Sequence, residues 1–518
     1  MNFRTRVALA GLPALFAFMF VAWPLVAILK RGFVIDGSLD LGAIVDIFGS
    51  DRSRSLVTFT VVQAAVSTLA TLIIGLPAAW STSRPWWGAS LVRSFMTTAF
   101  VLPTLVMALA FSTIFDRGLL PIVLSHAAFN VAVVVRIVGN AWAGIEPGTG
   151  DAARTLGASR FFAWRTVTLA RLAPAIASSA ILTFLFSLTS FGVVLVLGDY
   201  RQGTIETEIY RLSRTLQFDK AGALAVVQLF VVGAALSLSR RFSRNPVVDL
   251  TTVQTRQRAV GVVVPGLAAL MGMCLVAIPL GTLACQVFFR RGQWTLNWWR
   301  ALTSDELPLG VDPLASLGTS FHYAIAATFV AVVIGGATAF ALAKASRGLR
   351  LLDGLLMLPL GVSAVTLGYG YLITFDEAPL RLRDFYYVVP LAHAAVAVPI
   401  VVWVLTPAIR GVAPGLREAA ATLGATRAKV FWNIELSLVA PSLGVAAGFA
   451  AAISIGEFGA TALLGRSGTA TAPFAIGRLL SVPGETARLA AFGLALSLAL
   501  STTLLMLVID KLTTLGIR

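Results

Sequence analysis

Apolar residues in this chain do not alternate with polar ones at strand spacing. They run for about twenty residues at a time, nearly free of charge, and stop at short polar gaps. A helix rising 1.5 Å per residue crosses a hydrocarbon core of about 30 Å in about 20 residues. The pattern therefore predicts membrane spans near 7–29, 57–79, 91–114, 122–144, 172–197, 219–238, 260–287, 321–343, 353–374, 386–407, 440–464 and 489–510. A polar stretch at 239–259, carrying Arg240, Arg241, Arg244, Pro246, Arg256 and Arg258, separates the first six from the last six. The run after the N-terminal MNFRTR is too long for the apolar region of a secretory signal. It leads into Lys30-Arg31 with no small-x-small cleavage site, so it reads as a retained first span.

The two sets of six are copies. DAARTLGASR at 151–160 aligns with EAAATLGATR at 418–427, an offset of 267. The same offset pairs His126 with His393, Pro174 with Pro441, Phe191-Gly192 with Phe458-Gly459 and Gly198 with Gly465. Between 151–198 and 418–465, 16 of 48 positions are identical without a gap. One constant offset that recovers scattered polar, Gly and Pro positions argues for duplication over shared apolar composition. Six spans per copy make the repeats parallel. The expected fold class is all-α integral membrane, with twelve transmembrane helices in two parallel six-helix repeats. The first half covers 1–238, a cytoplasmic linker 239–259, and the second half 260–518.

Composition agrees. The 518 residues are 57% hydrophobic and 12% charged, about half the charge of a soluble domain. The net charge of +16 does not indicate nucleic acid, because the basic residues sit between apolar spans and form no stripe. With the N-terminus, the linker and both repeated motifs on one face, that face carries +15 of the total. The positive-inside rule makes it cytoplasmic, which puts both termini inside a bacterial cell (inner) membrane. Cys274 and Cys285, eleven helical residues apart, are about 16 Å distant along the axis and beyond disulfide reach.

The duplicated segment lies between the fourth and fifth spans of each half, near 147–171 and 414–438. It reads D-A-A-x3-G from Asp151, with Val167-x-Leu169 following, and E-A-A-x3-G from Glu418, with Ile434-x-Leu436 following. The acid suits the positive end of a helix dipole, and alanine has the best helix propensity. Gly157 and Gly424 can end that helix with positive φ. The expected product is a short helix, a turn, and a second helix returning to the bilayer. These residues resemble the EAA signature of permease subunits of ATP-binding-cassette importers with the type I (methionine/maltose-permease-like) fold. In that family the short helix docks on the ATPase subunit. The resemblance thus implies that Asp151, Ala152, Ala153, Gly157, Glu418, Ala419, Ala420 and Gly424 couple this chain to two copies of an ATPase. The family often has proline just after the I-x-L, where this chain has Ala170 and Ser437. No Gly-Lys dipeptide and hence no P-loop occurs. ATP and Mg are therefore expected on partner subunits, with no cofactor and no catalytic residue on this chain.

SHAAFNVAV (125–133), TSFGVVLVLG (189–198), TIETEIY (204–210) and ISIGEFGATALLG (453–465) resemble thiamine/thiamine pyrophosphate permeases and, in part, ferric-iron permeases. The resemblance implies a fused permease that imports thiamine or its phosphates by alternating access, with ferric iron as the alternative cargo. An extracytoplasmic binding protein would dock on segments 198–218, 288–320 and 465–488, where Trp294, Trp298 and Trp299 suit a docking patch or an interfacial belt equally. An ion-coupled secondary transporter with twelve helices is the competing class, and it leaves the duplicated motif unexplained. A membrane-embedded enzyme lacks any nucleophile–base or metal constellation.

Intramembrane charges are costly and signal function by default. Arg136 and Glu457 stand mid-span, either on the translocation pathway or in ion pairs and polar contacts that fix helix packing. His126 and His393 are either an outer gate or packing residues, and two histidines without clustered carboxylates make no metal site. Ser190-Phe191-Gly192 and Glu457-Phe458-Gly459 interrupt apolar helices, either as bends beside a cavity or as close packing points.

Overall fold

The computed structural model describes residues 3–35, 38–39, 42, 49–146, 148–199, 202–242, 261–290, 292–304, 307, 312–343, 350–376, 385–466 and 469–515. Residues 243–259 of the expected linker lie outside them. The chain is an all-α membrane protein whose only strands, among the described residues, are two two-residue hairpins, 34–35 with 38–39 and 289–290 with 293–294. Each follows the opening helix of a half.

Among the described residues, ten helices are long and apolar enough to cross a bilayer: Ala10–Phe33, Asp51–Thr82, Leu119–Ala143, Arg160–Leu188, Phe218–Ser237, Val263–Phe288, Pro313–Ala343, Val388–Arg410, Arg427–Gly456 and Glu485–Ile509. The third span of each half departs from a straight helix. In the first half Ala89–Val101 and Thr104–Phe111 meet at 101°, which makes an eleventh crossing if the pair is one span. Pro103 has no N–H and pushes the residue before it out of the helical region; Leu102 has ψ 141°. In the second half the equivalent place holds Arg350–Met357, a 3₁₀ turn containing Pro359, and Ala364–Phe375. At 12 residues that last helix is about 18 Å long, short of a full crossing. The fifth and eleventh spans start and end earlier than expected. Their helices end at Leu188 and Gly456, and short helices resume at Gly192–Leu197 and Gly459–Leu464.

The chain divides into two compact units that cut across the sequence halves. One, the C-terminal unit, comprises Met1–Ala43, Ile209–Ala225 and Trp294–Arg518. The other, the N-terminal unit, comprises Ile44–Glu208 and Val226–Gln293. The opening helix of each half therefore belongs to the unit built mainly from the other half. In the C-terminal unit, the first span packs on Pro313–Ala343 and Ala364–Phe375. Its π-helical turn at Phe18–Ala22 leaves the Phe20 carbonyl to accept from Tyr371 Oη at 2.8 Å. Arg31 pairs with Asp219 at 2.8 Å, and Tyr369 Oη donates to the Phe218 carbonyl at 2.6 Å. In the N-terminal unit, the seventh span packs on Asp51–Thr82 and on Thr104–Phe111.

Each unit centres on the same helix pair, second on fourth span and eighth on tenth. A glycine permits the close approach in both. A Cβ built on Gly75 would stand 2.8 Å from Val134 Cβ, and one on Gly335 would stand 2.8 Å from Val401 Cβ. Val134 and Val401 keep the offset of 267, whereas Gly75 and Gly335 are 260 apart, so the two halves differ by seven residues between these helices.

Candidate functional site

The two duplicated motifs adopt one geometry. In the N-terminal unit the helix Thr149–Thr155 ends as Gly157 N–H bonds the Arg154 carbonyl at 3.0 Å and Ala158 N–H bonds the Ala153 carbonyl at 3.1 Å. In the C-terminal unit Pro414–Thr422 ends as Gly424 N–H bonds Ala421 and Ala425 N–H bonds Ala420, both at 3.0 Å. Both are Schellman turns, which need a left-handed residue at the glycine; φ is +91° at Gly157 and +80° at Gly424. Ser159 Oγ then accepts from Phe162 N–H, and Thr426 Oγ1 from Lys429 N–H, to start the returning helix.

That helix re-enters through a π-helical turn, Trp164–Leu169 in one unit and Phe431–Glu435 in the other. The returning spans, Arg160–Leu188 and Arg427–Gly456, are continuous, so re-entry without a proline at Ala170 or Ser437 is achieved by widening one helical turn. The expected position of the acid needs one correction. Asp151 lies in the first turn of its helix, but Glu418 does not, because that helix starts four residues earlier at Pro414, a residue suited to the first helical position.

Two features of this surface were not read from the sequence. Leu156 is 89% exposed and Leu423 88%, and they are repeat-equivalent. Nearly bare leucines at the tips of two polar turns present an apolar knob beside the exposed Ala152 and Ala419. The common Thr-Leu-Gly of both copies carried that signal. The second feature is an asymmetry. Arg417 Nε pairs with the buried Glu435 Oε1 at 2.5 Å and ties the second turn to its returning span. The equivalents, Gly150 and Thr168, cannot do so, and Asp151 meets Arg154 at 3.7 Å within its own helix. Arg417→Ala should thus speed amide exchange at Leu423–Ala425 about ten-fold, the loss of a bond to a charged group, and leave 153–158 unchanged. Equal exchange in the variant would mean that the pair holds nothing.

The membrane-embedded candidates fall in separate places. In the C-terminal unit His393, Ser454, Glu457 and Thr461 form one buried network. Glu457 Oε1 accepts from Ala460 N–H at 2.8 Å. Its Oε2 accepts from Thr461 N–H at 3.1 Å and Thr461 Oγ1 at 2.9 Å, and lies 3.1 Å from His393 Nε2. His393 Nδ1 meets Ser454 Oγ at 2.9 Å. The carboxylate therefore caps the helix that restarts at Gly459. Gly459 is also a close packing point, where a Cβ would stand 3.0 Å from Val365 N. In the N-terminal unit the equivalent of Glu457 is Ser190, and His126 Nδ1 meets Ser67 Oγ at 3.1 Å. His126, His393, Phe191 and Phe458 are all buried. Arg136 differs. It is exposed, although its neighbours Val133–Val135 and Ile137–Gly139 on the fourth span are buried. The offset of 267 places Trp403 at the matching position of the tenth span, 48% exposed between buried Val402 and Leu405. An aromatic residue inside an apolar run hid that correspondence in the sequence.

A family model described as the binding-protein-dependent transport system inner membrane component matches residues 71–243 and 388–515. The thiamine transport system permease protein of Brucella abortus is 25% identical over 501 residues, covering 88% of this chain and 86% of that protein. The molybdenum transport system permease protein of Escherichia coli K12 is 35% identical over 168 residues, covering 29% of this chain and 73% of its own length. Its Mycobacterium bovis counterpart is 32% identical over 261 residues, covering 46% and 94%. The thiamine relative thus matches the whole two-half layout, while the molybdenum relatives match about one half or less.

Proposed function

The chain belongs to the family of binding-protein-dependent transport system inner membrane components, and from that premise we propose that it imports thiamine or thiamine phosphates. It is a multi-pass permease component of an ATP-binding-cassette importer. The observation that carries the cargo is the match to a thiamine permease along nearly its full length. In this reading two ATPase subunits, which hold ATP and Mg, seat on the turns at Gly157 and Gly424, and an extracytoplasmic protein delivers the cargo to the opposite face. Both termini and both turns are cytoplasmic, in keeping with the positive charge there. Arg136 in the N-terminal unit and Trp403 in the C-terminal unit are each a large exposed side chain at the middle of a mostly buried helix, which suits them to contact with cargo. His393 and Glu457 fix packing, since the carboxylate caps the helix at Gly459 and the His393 nitrogens meet Ser454, Thr461 and Glu457 side chains.

An oxyanion such as molybdate is the second reading, favoured by the higher local identity to molybdenum permeases and by the positive charge of Arg136 at mid-span. Ferric iron draws no support from these relatives. Uptake of labelled thiamine at nanomolar concentration, compared with labelled molybdate, in cells with and without this chain decides the matter. Thiamine uptake is expected to fall to background on deletion. Unchanged thiamine uptake in a host with no second thiamine system, together with lost molybdate uptake, would transfer the assignment to the oxyanion.

A further inference from the structure

The C-terminal unit carries a compact cluster of exposed aromatic rings on the membrane face opposite the coupling turns. Phe385, Tyr386 and Tyr387 precede the tenth span, Val388–Arg410, whose other end leads directly into the second turn. They are 50%, 44% and 41% exposed. His322, also exposed, joins them from the eighth span. The ring centroids of Tyr386 and Tyr387 are 5.2 Å apart at 82°, and His322 lies 5.8 Å from Tyr386 and 6.0 Å from Tyr387. Phe385 is 5.8 Å from Tyr387. The eighth helix, at 31 residues, is about 46 Å long and overshoots the hydrocarbon core. His322, its tenth residue, therefore stands near the membrane–water boundary.

Two observations separate this cluster from an ordinary interfacial belt. Belt aromatics recur around the perimeter, whereas the repeat-equivalents of Phe385, Tyr386 and Tyr387 are Gly118, Leu119 and Leu120. The cluster is also braced from beneath. Tyr323, 1% exposed, meets Tyr386 edge-on at 5.4 Å and donates its hydroxyl to the Tyr386 carbonyl at 3.4 Å. The Tyr323 ring lies in turn 6.5 Å from His393, which reaches Glu457. The first amide of the tenth span, Val388 N–H, is already bonded to the Phe385 carbonyl at 3.0 Å, so a ligand meets ring faces and not that donor. Aromatic faces attract cations and stack on flat rings.

We propose that His322, Phe385, Tyr386 and Tyr387 form a low-affinity reception site for a flat organic cation on the face opposite the coupling turns. The site deepens the thiamine reading and rests on it only for the identity of the cargo, whose thiazolium and pyrimidine rings are of this class. Its place at the boundary suits a station between release by a binding protein and entry to the path.

The test uses the full permease with its ATPase in lipid nanodiscs, without binding protein, and equilibrium dialysis of labelled thiamine and labelled N-methylpyridinium. Replacing Tyr386 and Tyr387 together by alanine is expected to weaken binding of both cations about ten-fold, while Tyr387→Phe retains it. The neutral thiophene isostere of thiamine should bind more weakly than thiamine. Equal binding to wild type and to the double variant, equal binding of the isostere, or no binding of either cation to wild type overturns the site. Ring-dependent binding of N-methylpyridinium in a chain that does not import thiamine would uphold the site and remove only the cargo.

Discussion

Gly157→Val combined with Gly424→Val should reduce cargo uptake by at least about ten-fold while the protein remains in the membrane at near wild-type level. Both glycines hold φ values that cost an L-residue about 1–2 kcal/mol, and a β-branched residue more. A Cβ built at either position meets nothing within 4 Å, so the substitution causes no clash inside the protein. The strain is relieved by opening the Schellman bonds from Ala158 to Ala153 and from Ala425 to Ala420, which swings Leu156 and Leu423 away from their present positions. Strain at two turns amounts to roughly 2–4 kcal/mol, and 1.4 kcal/mol is a factor of ten. Uptake and cargo-stimulated ATP hydrolysis in the reconstituted complex should fall together, with Leu156→Asp combined with Leu423→Asp giving the same loss on an unstrained backbone. Full activity of both double variants would show that ATPase closure reaches the membrane by another route.

Glu457→Ala is expected to lower the amount of folded protein several-fold and its thermal midpoint by several degrees. The carboxylate accepts from two backbone N–H groups and one hydroxyl and lies against His393, all in a buried site. Its removal leaves those donors unsatisfied at a cost of about 2 kcal/mol or more. Glu457→Gln, which keeps one acceptor oxygen, should recover part of the loss and transport in proportion to the protein present. This comparison separates packing from cargo contact, because a stable but inactive Glu457→Gln would place the carboxylate on the path.

The positions of the spans were legible because a bilayer demands long apolar runs, and the two duplicated turns were legible because Asp151 and Glu418 each precede two alanines and a glycine at fixed spacing. The breaks were less so. Pro103 announces the 101° bend, but Thr189 and Gly456 lie in apolar surroundings that hydropathy reads as continuous helix. This is why Glu457 looked like a charge in the middle of a span, when it sits where a helix has stopped and must be capped. Arg417 and Glu435 are eighteen positions apart on different helices, a distance over which sequence spacing carries no pairing rule. The exchange of opening helices was hidden for a related reason. Hydropathy records that Ala10–Phe33 is buried in something apolar, and does not record which helix it meets.

That exchange bears on how the protein is made. Tyr371 grips the Phe20 carbonyl across 351 positions, and Pro313–Ala343 and Ala364–Phe375 supply most of the first span's packing, whereas the earlier helix Phe218–Phe242 reaches it near Arg31, at Asp219 and Gly222. A ribosome adding about 5–20 residues per second needs roughly a quarter of a minute to a minute to travel from Phe33 to Pro313. Throughout that interval the first helix lacks its two main packing partners and the Tyr371 hydroxyl that meets its widened turn at Phe18–Ala22, and the contact of Arg31 with Asp219 comes only after residue 219 is made. A nascent protein truncated before residue 313 therefore keeps its first span without the helices that hold most of it in the finished chain.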